Sequence, residues 1–149
     1  MEIARASIDD IPQLCLLLDL LFEQEAEFTP DHERQVIGLT AIMETPAVGD
    51  IFLARKEGRV IGMVSLLYSV STALGAPVAL LEDMVIAPGE RGLGVGSALI
   101  SRALEYAEKK GCKRVTLLTD HDNVQAQQFY QKQGFEPSSM RVFRKMLDE

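Results

Sequence analysis

Apolar side chains near the start of the chain fall at helical spacing. Ile11, Leu14, Cys15, Leu18, Leu21 and Phe22 lie close to a 3.6-residue period, which predicts a helix capped at Ser7 or Asp9. Pro12 suits its first turn, where the backbone needs no donor. Before it, Ile3-Ala4-Arg5 reads as a short strand. The next stretch is acidic, with Glu23, Glu25, Glu27, Asp31 and Glu33 set around Phe28-Thr29-Pro30. Pro30-Asp31 then breaks the chain before a second helix ending near Thr45-Pro46, so a bent helical pair is expected. Ile51 to Lys56 and Val60 to Tyr68 are rich in strand formers and are joined by a hairpin turn at Glu57-Gly58-Arg59. After a break at Gly75-Ala76-Pro77, Val78 to Ile86 supplies a third long strand, and the middle of the chain is predicted to be an antiparallel meander.

Beyond Pro88 the pattern changes. Gly94 to Lys110 reads as an amphipathic helix with Ala98, Leu99, Ala103, Leu104 and Ala107 inward, stopped by Gly111. Val115 to Thr119 is a buried strand, a helix runs from about Asn123 to Gln133 and ends at Gly134, and Phe135 and Val142 to Leu147 supply closing strands. The predicted order is β-α-α-β-β-β-α-β-α-β-β. Its one crossover, from the Val78 strand through the Gly94 helix to the Val115 strand, should be parallel and right-handed. No internal repeat or low-complexity tract interrupts it.

Composition sharpens this. With 149 residues, 47% of them hydrophobic, the chain can bury one core and is too short for two ordinary domains, so residues 1–149 are expected to form one soluble domain. A net charge of -7 argues against a sequence-independent grip on nucleic acid and favours a cationic or neutral partner. No apolar run approaches the roughly 20 residues that span a membrane. The N-terminus lacks the order of a signal peptide, so a cytoplasmic location is expected. Cys15 and Cys112 have no Cys or His at metal-ligand spacing, and no metal is implied. Both read as packing residues, with a disulfide between them left open.

The candidate chemistry begins where a strand ends at Met84-Val85-Ile86-Ala87-Pro88 and Gly89-Glu90-Arg91-Gly92-Leu93-Gly94-Val95-Gly96-Ser97 leads into a helix. Successive amides of such a turn point into one concavity, and the helix dipole adds positive charge, so the place suits a phosphate or pyrophosphate. By itself the pattern also describes a tight turn that merely needs left-handed backbone. A nucleoside-triphosphate loop would require a Lys after the last Gly, and none follows Gly96. A dinucleotide fingerprint would follow the first strand of an alternating β/α chain, whereas this loop follows a meander.

Arg91-x-x-Gly94-x-Gly96 resembles the Arg/Gln-x-x-Gly-x-Gly/Ala acetyl-CoA motif of the GNAT N-acetyltransferases. Asn123-x-x-Ala126-x-x-Phe129-Tyr130-x-x-x-Gly134-Phe135 resembles the second signature of the same family, on the helix after the fifth strand. Two motifs in the right order, within a matching element order over nearly the whole chain, are far more specific than either alone. The resemblance implies an α/β fold with a mixed, centrally splayed sheet flanked by helices on both faces. It implies acetyl-CoA as cosubstrate, with the pantetheine arm pairing with backbone at Met84, Val85 and Ile86 in the gap beside the Val115 strand. Amides of Arg91, Gly92, Leu93, Gly94, Val95, Gly96 and Ser97 would take the pyrophosphate, while the Arg91 side chain either adds charge or covers the helix start. Asn123 would reach the pantetheine, cap its helix, or do both. Tyr130 occupies the position at which the family places the acid that protonates the leaving thiolate; the plain alternative is an amphipathic core Tyr beside Phe129.

The attacking amine must first lose a proton. Glu82 and Asp83 sit side by side on the strand that would carry the cofactor, and simple alternation would send them to opposite faces. Glu82 shares parity with Met84 and Ile86 and is the first choice of base. Asp83 and Glu25 are candidates for binding the substrate, with solvated or salt-bridged acids as the plain alternative. His32 and His121 receive no role, and Lys109, Lys110, Lys113 and Arg114 suit a helix C-terminus without invoking nucleic acid. The expected reaction is direct acetyl transfer in a ternary complex to a primary amine of a small molecule, positively charged if the acidic run faces it. No Cys near either motif supports an acetyl-cysteine intermediate. An acyl-CoA sensor without turnover and an N-acyltransferase for longer chains are the rival functions, and a homodimer is compatible with all three.

Overall fold

A computed structural model describes residues 1–25 and 29–147. The chain divides into two compact units, Met1–Leu118 and Thr119–Glu149.

The first unit is built on a five-stranded sheet in the order β1-β2-β3-β4-β5, with β1 Glu2–Arg5, β2 Gly49–Lys56, β3 Arg59–Ser71, β4 Ala76–Ile86 and β5 Val115–Leu117. The first four strands pair antiparallel and β5 joins β4 in parallel, as the meander and single crossover require. The β2–β3 connection is a two-residue turn in which Glu57 and Gly58 both have positive φ, the type I′ geometry that matches strand twist.

Helices cover both faces of the sheet. On one lie α1, Ile11–Gln24, and α2, His32–Glu44. Leu14, Leu17, Leu18 and Leu39 pack there with Ile51, Leu53, Met63 and Val85. Asp31 caps α2 through the Arg34 amide, and Gln35 bridges the helices by donating to the Cys15 carbonyl and to Asp19. On the other face lies α3, Val95–Lys109, ended at Gly111 as the sequence indicates. Gly62 lets it approach: a Cβ there would stand 2.9 Å from Ile86 Cδ1, 3.1 Å from Leu99 Cδ1 and 3.2 Å from Val95 Cγ1. At the far end of α3, Tyr106 packs edge-on against Phe52. Buried Asp50 there accepts hydrogen bonds of 2.6 Å from both Arg5 and Tyr68, and Lys110 lies over the Tyr68 ring. Burial, followed by the Asp50 carboxylate, pushes the Tyr68 phenol far above its usual value. Cys15 and Cys112 are free thiols, which closes the question of a disulfide.

The second unit contains α4, Val124–Lys132. The closing strands expected at Phe135 and Val142 to Leu147 do not form among the described residues. Val142-Phe143 and Met146-Leu147 are adjacent apolar pairs separated by Arg144-Lys145, so a strand there would present apolar side chains on both faces. Their own unit offers one nine-residue helix to cover them, and Phe143 is 92% exposed.

Candidate active site

β4 and β5 pair only over Ala79, Leu80 and Leu81. β5 ends at Leu117 while β4 runs on to Ile86, so from Glu82 to Ile86 the β5 side of β4 has no strand partner among the described residues. The sheet is open at its parallel junction, and an extended guest can hydrogen-bond along that edge.

The same strand leads directly into the glycine turn. Ala87 still donates to the Ile61 carbonyl at 2.8 Å, and Glu90 N–H closes a turn on the Ala87 carbonyl. Gly89, Gly92 and Gly94 then all take left-handed backbone, with φ of 87°, 79° and 85°. Gly94 is the residue from which α3 starts. A Cβ at any of the three would meet nothing within 4 Å beyond its chain neighbours, so there is open space at these positions. The Arg91 side chain bends back to donate from Nε to the Ile86 carbonyl at 3.3 Å. Glu90 accepts from Lys56 Nζ at 3.2 Å and Arg59 Nη2 at 3.4 Å, tying the turn to the β2–β3 hairpin. Sequence reasoning gave no part to Glu90, Lys56 or Arg59. Their only signal was an acid inside the glycine motif and two cations flanking a hairpin turn.

Alternation along β4 fails at the acid pair. Met63 faces Val85 and Ser65 faces Glu82, so Asp83 and Met84 together oppose Val64 alone. This is a β-bulge, and Asp83 adopts φ of 53° to make it. Cross-strand partners share a face, which places Glu82 with Ser65 on the face of Met63 and Val85, toward α1. Ile86 instead turns toward Leu99 and Val95 of α3. The shared parity of Glu82 and Ile86 expected from the sequence is therefore cancelled by the extra residue.

The bulge also gathers the acids. Burial, then the charges of Glu82 and of Glu25 at the end of α1, raise the Asp83 carboxyl to about 6, and the Ser65 hydroxyl works in the opposite direction. Glu25 and Glu82 thus both bear on Asp83 in the first unit. The other described members of the acidic run stand apart: Glu23 and Glu33 are exposed and Asp31 serves as the α2 cap. Glu27 lies outside the described residues. His32 is tied to Asp19 at 2.6 Å.

In the second unit Asn123 caps α4, its Oδ1 accepting from the Ala126 amide at 3.0 Å. Tyr130 packs edge-on against Phe129 and Phe135, at 5.3 Å and 6.1 Å between ring centroids. Phe135 is held there by its backbone N–H, which donates a hydrogen bond to the Tyr130 carbonyl across Gly134. Burial raises the phenol above its usual value, so near neutral pH it carries its proton.

The sequence model of the acetyltransferase (GNAT) family matches residues 14–135. The chain is 34% identical over 86 residues to the uncharacterized N-acetyltransferase YhfO of Bacillus subtilis (strain 168). That match covers 58% of this chain and 58% of YhfO, less than two thirds of either. A longer match, 27% identical over 146 residues, is to the aminoalkylphosphonate N-acetyltransferase of Salmonella typhimurium, covering 98% of this chain and 91% of that protein. Among solved structures, an acetyltransferase from Trypanosoma brucei superposes with a TM-score of 0.76 at 26% identity, covering 97% of this chain and 99% of that one.

Proposed function

The chain belongs to the acetyltransferase (GNAT) family, and on that premise we propose that it is an N-acetyltransferase, moving the acetyl group of acetyl-CoA to a primary amine of a small molecule by direct attack in a ternary complex. The observation that carries the reading is the continuity of β4, which leaves β5 at Leu81, has no strand partner on that side beyond it among the described residues, and runs into the left-handed glycine turn and α3. An extended arm ending in a pyrophosphate needs those two features in that order. Open space where the Cβ atoms of Gly92 and Gly94 would stand supports the fit.

In this reading the backbone of Met84, Val85 and Ile86 holds the pantetheine arm, and the amides from Arg91 to Ser97 hold the pyrophosphate. Arg91, engaged with the Ile86 carbonyl, braces the turn. Bound acetyl-CoA supplies a thioester carbonyl for the amine to attack. Asp83 takes the base role in place of Glu82, because its raised carboxyl accepts a proton near neutral pH. Glu82 and Glu25 supply negative potential that draws the acceptor as an ammonium ion. The amine proton passes to Asp83, a C–N bond forms, the C–S bond breaks, and the Tyr130 phenol protonates the departing thiolate. Asn123 fixes the start of the Tyr130 helix.

The reading treats residues 1–149 as one cytoplasmic enzyme domain. It is supported by a family match that runs through the junction of the two units. A thiol-release screen with acetyl-CoA against polyamines, aminoglycosides, amino sugars, aminoalkylphosphonates, amino acids and peptide N-termini tests it. Release that depends on one amine class and yields the N-acetyl product is expected. Tight CoA binding with no turnover on any amine would leave the sensor function instead, and faster release from longer acyl-CoA would make the chain an N-acyltransferase of another kind.

A further inference from the structure

One backbone acceptor in the first unit is called on twice. Gly62 and Ile86 face each other across the ladder, and the Ala87 N–H donates to the Ile61 carbonyl at 2.8 Å. In an antiparallel pair that bond marks Gly62 and Ile86 as partners that exchange no hydrogen bond with each other, so the N–H and C=O of Ile86 point away from β3. They point to the side of β4 that has no strand partner beyond Leu81 among the described residues. The Ile86 carbonyl is therefore the last acceptor that β4 presents on that edge, and it already accepts from Arg91 Nε. An extended arm laid along the same edge reaches for the same oxygen.

The Arg91 contact is built to give way. At 3.3 Å it is longer than the roughly 2.7–3.2 Å of a firm N–H···O bond, and it is exposed to water, which offers substitute partners to both groups. The Arg91 charge is also uncommitted. Glu90, the adjacent carboxylate, is taken by Lys56 and Arg59 of the hairpin, and Arg91 has no ion pair among the described residues. The backbone on either side is set, with Glu90 clamped and Gly92 in left-handed conformation. A guanidinium released from Ile86 thus stays at the rim of the turn, where a pyrophosphate offers the paired oxygens that suit its forked donors.

We propose that Arg91 is a latch that sets cosubstrate specificity: it occupies the Ile86 carbonyl in the free chain, yields that carbonyl to the arm's amide when the thioester binds, and turns its charge to the pyrophosphate. This rests on the reading of β4 and the glycine turn as the acetyl-CoA site. Displacing Arg91 weakens the binding of any guest along the edge, and only a guest that carries the pyrophosphate recovers the loss. Acyl-pantetheine thioesters without a nucleotide are disfavoured against acyl-CoA by more than the phosphate contacts they lack.

Titrations of the full chain followed by nitrogen NMR, at the Arg91 side chain and along the backbone, test this with two probes: S-acetylpantetheine for the arm alone, and CoA for arm and pyrophosphate together. The proteins are wild type, Arg91→Ala and Arg91→Lys; lysine keeps the charge and puts a methylene where Nε stands. S-acetylpantetheine alone should move the wild-type Nε–H resonance. Both variants should bind it about 2- to 10-fold more tightly than wild type, the worth of one net hydrogen bond removed from competition. CoA should bind about 10- to 30-fold more weakly to Arg91→Ala, and about 2- to 5-fold more weakly to Arg91→Lys, whose point charge replaces the fork. A residue that only braces the turn would lose affinity for both probes in both variants, and one that only supplies charge would leave the arm's affinity unchanged. Either result overturns the latch, as does an Nε–H resonance that the arm leaves in place. Each variant decides the arm comparison if the other does not fold. CoA that fails to bind wild type, or that shifts no amide between Ile86 and Ser97, overturns the cosubstrate site itself and so separates that failure from failure of the latch.

Discussion

Glu90, inside the glycine turn, accepts a 3.2 Å hydrogen bond from Lys56 at the end of β2. With Arg59 at 3.4 Å it forms a two-cation clamp whose carboxylate is largely covered while both cations remain partly exposed. Exposed ion pairs contribute roughly 0.2–1 kcal/mol each. Glu90→Gln should therefore weaken CoA binding by about 2- to 10-fold, because the turn is less well held, and leave kcat nearly unchanged. Calorimetry with CoA at low and high salt checks this; an affinity equal to wild type at both would show that the turn holds its shape without the clamp.

Gly94 carries φ of 85° at the entry to α3. Gly94→Val forces a β-branched residue into left-handed backbone, at a strain of roughly 1–3 kcal/mol, and sets a side chain in the space proposed for phosphate. Melting temperature should fall modestly without ligand, and the rise that CoA produces in wild type should disappear. A folded variant that CoA still stabilises as it does wild type would remove the pyrophosphate from this turn.

Tyr130→Phe keeps the ring against Phe129 and Phe135 and removes only the phenolic proton. Turnover should drop by roughly 10- to 1,000-fold with little change in KM for acetyl-CoA. Because burial raises this phenol, its ionisation should leave no basic limb at or below its ordinary titration range near pH 10. Wild-type turnover in the Phe variant, with chemistry rate-limiting, would make Tyr130 a packing residue.

Asp83 also leaves a mark on stability. Its folded carboxyl is raised to about 6, whereas in the unfolded chain it titrates near 4. Below pH 4 both states hold the proton and Asp83 carries no penalty. As pH rises from about 4 through 6 the unfolded state ionises more readily, and up to roughly 3 kcal/mol of stability is lost by pH 7. Asp83→Asn, which tolerates the same backbone, should therefore raise the melting temperature more at pH 8 than at pH 4.5. Equal shifts at both would mean that the carboxyl is not held neutral by its surroundings.

Glu25→Gln takes one charge from the group around Asp83. KM for a cationic acceptor should rise a few-fold at low salt and converge on wild type at high salt, since exposed charges are screened over roughly 10 Å at 0.1 M. A neutral or anionic acceptor emerging from the screen, with salt-independent KM, would separate Glu25 from substrate capture.

Much of the fold was legible because its signals are local. Leu14, Leu18 and Phe22 announce α1 by period, Glu57-Gly58 announces the hairpin, and Gly111 ends α3 where the sequence places the stop. The glycine turn was legible for the same reason, since left-handed backbone leaves glycines in the sequence. The bulge was not. Asp83 sits in a run that reads as unbroken strand, and the extra residue is visible only in the register between β3 and β4. The face of Glu82 relative to Ile86 turned on that one residue. The closing strands were overread: Val142 to Leu147 has strand-forming composition without the alternation that would assign it a face.

The left-handed backbone at residue 83 narrows the alphabet open to that position. Among L-residues Asn, Asp and His visit this conformation most readily, glycine does so freely, and others, such as Glu57 in the hairpin turn, take it at a cost in strain. Asp83→Glu, nominally the mildest exchange of acids, would lengthen the side chain and strain the strand at once. Asn or Gly would preserve the bulge and silence the carboxyl. A lineage carrying this bulge can therefore switch the acid off in a single step that leaves the architecture intact, but it cannot tune the acid's reach. Its acidity is instead adjusted from outside, by charges such as that of Glu25 on another element, and that is where variation among chains built on this strand would be informative.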